Sequence, residues 1–78
     1  MKLIEGEVDI SYRVERMDLP QNVDRRLEAL GMTGGTKILV MNKKKKGAMV
    51  IKVRGTRFAI GKNIAEHIEV REDSSDGQ

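Results

Sequence analysis

The chain has 78 residues, no cysteine, one histidine and a formal net charge of +3. That length makes one domain, whose core supplies only on the order of 3–5 kcal/mol net. The missing cysteines exclude a disulfide framework and thiolate chemistry, so stability must come from a well-ordered barrel, sandwich or bundle, or from a partner. The longest apolar runs, residues 38–41 and 49–51, fall far short of the roughly 20 residues that span a bilayer. Residues 1–6 lack the apolar stretch of a signal peptide. A cytoplasmic location is the expectation.

Residues 7–14 alternate strictly, with Val8, Ile10, Tyr12 and Val14 apolar and Glu7, Asp9, Ser11 and Arg13 polar. Period two predicts a half-buried strand. Pro20 and Asn22 then interrupt the pattern, and Asn22 suits a helix N-cap. Val23, Leu27 and Leu30 follow at i, i+4 and i+7, the spacing of one helical face. Gly31 is the expected C′ residue, and Gly34-Gly35 a tight turn. A strand is predicted over 37–42, a loop over 43–47 with Gly47 as its turn residue, and a return strand over 48–53. Arg54-Gly55 reads as a two-residue hairpin turn. A strand over 56–60, a helical turn over 61–66 and a closing strand over 68–71 complete the domain, residues 1–72. The tail 73–78 has no apolar residue and is expected to be disordered.

This order predicts a mainly β fold with short helices. Five strands in so short a chain suggest a small barrel, because closure removes exposed edges. An OB barrel usually carries its helix between the third and fourth strands. Here the helix lies between strands 1 and 2, which favours a small SH3-like β-barrel.

The pattern Arg26-Leu27-x-x-Leu30-Gly31-Met32-x-x-Gly35, then residues 53–60, then Ile64-Ala65-x-x-Ile68-x-Val70, resembles ferrous-iron transport protein A (FeoA) over residues 3–71. The same module recurs as the C-terminal SH3-like domain of metal-dependent repressors of the diphtheria-toxin-repressor type. The resemblance implies an SH3-like barrel without enzymatic activity. It also implies an accessory role in ferrous iron uptake through docking on the cytoplasmic GTPase part of the FeoB membrane transporter. The chain would then be peripheral to the membrane through its partner.

Candidate partner contacts are Arg26, Leu27, Leu30 and Met32 on and after the helix, and the lysine run Lys43, Lys44, Lys45 and Lys46. Leu27 and Leu30 also read as the stripe that docks the helix on the core. The lysine run reads first as a solvated tip that blocks edge pairing; acidic lipid headgroups or an acidic protein patch are the functional readings. Subtracting those four charges from +3 leaves −1, so the basicity looks local. That argues against nucleic acid as a partner, since such affinity rests on many phosphate contacts. A small nucleic-acid-binding barrel using loop 43–46 is the alternative.

His67 between Glu66 and Glu69 suggests a metal site but reads as a surface histidine. Neither a metal nor a cofactor is expected. With Tyr12 and Phe58 as the only aromatics, recognition of proline-rich peptides and base stacking lack their usual parts. No phosphate-cradling Gly-x-x-x-x-Gly-Lys-Ser/Thr loop is present. Ile38 and Val40 lie on one face of their strand and Leu39 and Met41 on the other. One of those faces is expected to be covered by the helix or by a second copy of the chain.

Overall fold

The computed structural model describes residues 1–73. A short 3-10 turn, Leu3–Glu5, precedes five strands: β1 Ser11–Met17, β2 Lys37–Lys43, β3 Met49–Val53, β4 Thr56–Ile60 and β5 Ile68–Glu72. Helix α1, Gln21–Ala29, joins β1 to β2, and the single turn α2, Lys62–Ala65, joins β4 to β5. The strands form one antiparallel sheet in the order β4-β3-β2-β1-β5.

The expectation of full closure is corrected. Among the described residues no ladder joins the edge strands β4 and β5, although the SH3-like topology holds. The chain passes between these strands through α2, which puts Ala65 into the core. The outer edge of β5 is covered by the chain's own beginning. Val70 N–H donates to the Met1 carbonyl at 2.7 Å, and Lys2 bridges to Glu69. Part of the β5 edge is thus paired without closing the sheet.

The first strand starts and ends three to four residues later than its alternation suggested. Residues 8 and 9 turn instead, with Asp9 at φ 72. Its N–H donates to the Val40 carbonyl at 2.7 Å. Val8 consequently stands exposed. The phase of the alternation is right: Tyr12 and Val14 point inward, with Ile38, Val40, Met49, Ile51, Val53, Ile68 and Val70. The Tyr12 hydroxyl is satisfied by accepting from the Glu7 N–H at 2.9 Å.

Helix α1 begins earlier than expected. Pro20, not Asn22, is its N-cap; the Pro20 carbonyl accepts from Val23 and Asp24 at 3.0 and 2.9 Å. Asn22 lies within the helix. Its end is as expected. Met32 N–H returns to the Leu27 carbonyl at 3.0 Å and Gly31 N–H to Glu28 at 2.9 Å. This is the Schellman pattern, with Gly31 at φ +96. It explains why Leu27 and Met32 are buried together while Leu30, the C-cap, is left exposed. Leu30 therefore does not join the core stripe that its spacing suggested. Full burial of a leucine such as Leu27 is worth about 1.5–3 kcal/mol.

Two hairpin turns match their sequences. Lys44 N–H pairs with Ala48 and Gly47 N–H folds back to Lys44, with Gly47 at φ +93; this is the three-residue form ending in a left-handed glycine. Lys43 belongs to β2 and not to the loop. Arg54 and Gly55 both take positive φ, 52 and 83, as the primed two-residue turn requires. The expected tail lies outside the described residues from Ser74 onward. Asp73 is placed: its N–H donates to the Ser11 carbonyl at 3.0 Å.

Candidate interaction surface

Three places on the molecule could meet a partner. The first is the outer side of α1. Arg26 is exposed there, and Leu30 is 39% exposed at the helix end. Leu27 and Met32 are 4% and 0% exposed, so neither offers surface to a partner. They hold the helix in place, and the candidate contacts of this region reduce to Arg26 and Leu30.

The second is the hairpin tip. Lys43, Lys44, Lys45 and Lys46 are all exposed. They project from the β2–β3 hairpin, where consecutive lysines can follow any acidic surface without a fixed geometry.

The third was not foreseen. A groove of about 580 Å³ lies on the outer face of β1, β2 and β3, and is lined by Arg13, Lys37, Lys52 and Arg54 with Leu39 and the turns at 33–36 and 54–55. Register explains it. Ser11 stands opposite Leu39 and Leu39 opposite Lys52, while Arg13 stands opposite Lys37 in the next outward row. Successive side chains alternate between faces, so the same pairing that buries Tyr12, Val14, Ile38 and Val53 turns these residues outward together. Leu39 is half-buried within the groove. Met41 occupies the β-bulge skipped between the Val40–Ile51 and Asn42–Val50 pairs.

Two of the groove cations are held in place by backbone carbonyls. Arg13 Nη1 donates to the Gly35 carbonyl at 3.0 Å and Arg54 Nε to the Gly31 carbonyl at 3.1 Å. The turn between them is braced by Thr36, whose Oγ1 accepts from the Thr33 N–H at 3.2 Å and donates to Gly31 at 3.3 Å. Asp73 packs alongside. Its Oδ1 lies 3.5 Å from Arg13 Nε and its Oδ2 3.7 Å from Lys37 Nζ.

The triplet around His67 separates. His67 Nδ1 sits 2.7 Å from the Asn63 carbonyl, Glu66 pairs with Lys62, and Glu69 pairs with the N-terminal amine. Among the described residues no cluster of three metal-ligating groups forms. None of their helices is long and apolar enough to cross a membrane.

Solved structures with the same architecture include an FeoA protein from Chlorobium tepidum. It is 29% identical, with a TM-score of 0.86 over 92% of this chain and 70% of that one. Another is a protein described as iron uptake regulatory protein (FeoA), 32% identical, TM-score 0.84, covering 94% and 97% of the two chains. A third is FeoA from Stenotrophomonas maltophilia complexed with zinc, 32% identical, TM-score 0.75, covering 90% and 88%. That protein is described as a prokaryotic SH3-domain protein suggested to be a ferrous iron transport activating factor. No curated protein matches the chain. The FeoA domain model matches residues 1–72, the whole sheet with both helices, and the chain belongs to the FeoA family.

Proposed function

We propose that the chain is an accessory protein of ferrous iron uptake that docks on the cytoplasmic GTPase part of an FeoB-type membrane transporter and biases its state. The family match over residues 1–72 carries this reading. The surface supports it: Arg26 and Leu30 on α1 and the lysine tip at 43–46 are exposed and available to a partner. The reading requires no reaction on the chain itself. A ligand that binds one of two states more tightly shifts the balance by that difference in affinity, so docking is sufficient. The chain reaches the membrane through its partner, with the lysine tip suited to the acidic leaflet beside it.

Isotope-labelled full chain titrated with the soluble GTPase domain, and separately with the full-length transporter in nanodiscs, tests the reading. Perturbed amide signals around Arg26 and Leu30 are the expected result. Unchanged spectra with both partners overturn it.

A further inference from the structure

The outer groove points to a ligand chemistry that stands apart from the identity of the transporter. Its four cations come from β1, β2, β3 and the β3–β4 turn, and two of them are already oriented by backbone carbonyls. A guanidinium carries five N–H donors in a fixed fork, so Arg13 and Arg54 retain donors for a ligand while their positions are set. The rim is low. A methyl group added at Gly34, Gly35 or Gly55 would meet nothing within 4 Å, which leaves room for an extended backbone to lie close.

A carboxylate is already present beside these cations. The Asp73 side chain is 4% exposed, set against Arg13 and Lys37 side chains that are 35% and 42% exposed. The separations of 3.5 and 3.7 Å are those of loose ion pairs, longer than the roughly 2.7–2.9 Å of a tight charge-assisted hydrogen bond. An incoming carboxylate would compete with Asp73 for the same two cations. We propose that this groove docks an acidic stretch of a partner protein, and that Asp73 is its resident competitor.

Two other ligand classes fit less well. No aromatic side chain lines the groove, so bases have nothing on which to stack. A flat lipid surface meets the exposed lysine tip more readily than a concave face. An extended acidic peptide matches the charge, the groove and the carboxylate already placed there.

The test is a chemical-shift titration of the labelled full chain with an oligo-aspartate peptide at fixed ionic strength. Shifts are expected at Thr33, Gly34, Gly35, Thr36, Arg54 and Gly55. Asp73→Asn keeps the backbone bond to Ser11 and removes the competing charge. It should tighten binding by about three- to fivefold, the scale of one loose ion pair near the surface. Glu72→Gln makes the same change of net charge on an exposed neighbour outside the groove, and should tighten binding by less than about half that factor. Lys52→Gln should weaken it. Shifts confined to residues 43–46, equal effects of Asp73→Asn and Glu72→Gln, or tighter binding of oligothymidylate or anionic vesicles at the groove residues would each overturn the proposal. Should Asp73→Asn lose the dispersed spectrum of the folded chain, Lys52→Gln decides alone, and wild-type affinity in that variant overturns it.

Discussion

The lysine tip and the outer groove each carry four cations, and they differ in how the charge is assembled. At the tip the four are neighbours in the chain and all are exposed. In the groove they are drawn from residues 13, 37, 52 and 54 and brought together by strand register. Lys37 and Lys43 open and close the same strand, so the two sites sit at opposite ends of β2, about 20 Å apart at the usual rise per residue. Contiguous charge persists when the chain unfolds and adapts to any acidic surface. Assembled charge exists only in the folded state and can select for shape. The same net charge of +3 thus supports two different kinds of contact.

The sharpest way to break this contrast is Leu27→Ala. It removes a buried anchor of α1 and should cost about 2–5 kcal/mol, a large part of the stability of so small a domain. Urea unfolding measures it. Groove shifts with oligo-aspartate should weaken as the folded fraction falls, while binding to anionic vesicles through the tip persists. If both disappear together, the tip also depends on the fold. Replacing Lys43, Lys44, Lys45 and Lys46 with glutamine should weaken vesicle binding by about 1 kcal/mol per lysine near the surface and leave the urea midpoint almost unchanged. Unaltered vesicle and transporter binding would leave the tip with edge protection alone.

Gly31→Ala tests the link between helix and groove. A Cβ there would lie 2.7 Å from Arg54 Cδ, on a backbone at φ +96. A loss of about 1–3 kcal/mol is expected from the strained backbone, with the Arg54 side chain displaced from the Gly31 carbonyl. A lowered urea midpoint and a shifted Arg54 Nε–H signal are the readouts. Leu30→Ala should have the smallest effect on stability, within about 0.5 kcal/mol as for other exposed sites, and should still weaken transporter docking. A large drop in stability would show that Leu30 packs inward in solution.

Much of the fold was legible because its signals are local. The alternation at Tyr12 and Val14, the glycine stop at Gly31 and the Arg54-Gly55 turn each depend on a few neighbouring residues. The misread boundaries have local alternatives that only long-range contacts resolve. Residues 8 and 9 could continue the alternating strand, but the bond from Asp9 N–H to the Val40 carbonyl holds them in a turn. Leu30 has the spacing of a core residue, but the reversal at Gly31 ends the helix there and turns it outward. The partner contacts expected around α1 divide for the same reason: Leu27 and Met32 close the helix end inside the core, and Arg26 and Leu30 remain outside.

By itself the sequence determined the order of the elements, the inward phase of Tyr12 and Val14, the glycine turns at Gly31, Gly47 and Gly55 and the family pattern, because each depends on residues close together in the chain. The tertiary structure alone decided that the sheet stays open between β4 and β5, that the chain's beginning covers β5, and that Arg13, Lys37, Lys52 and Arg54 share a groove with Asp73 beside it. Those outcomes depend on which strands pair and in what register, and register follows from burying one face of every strand at once.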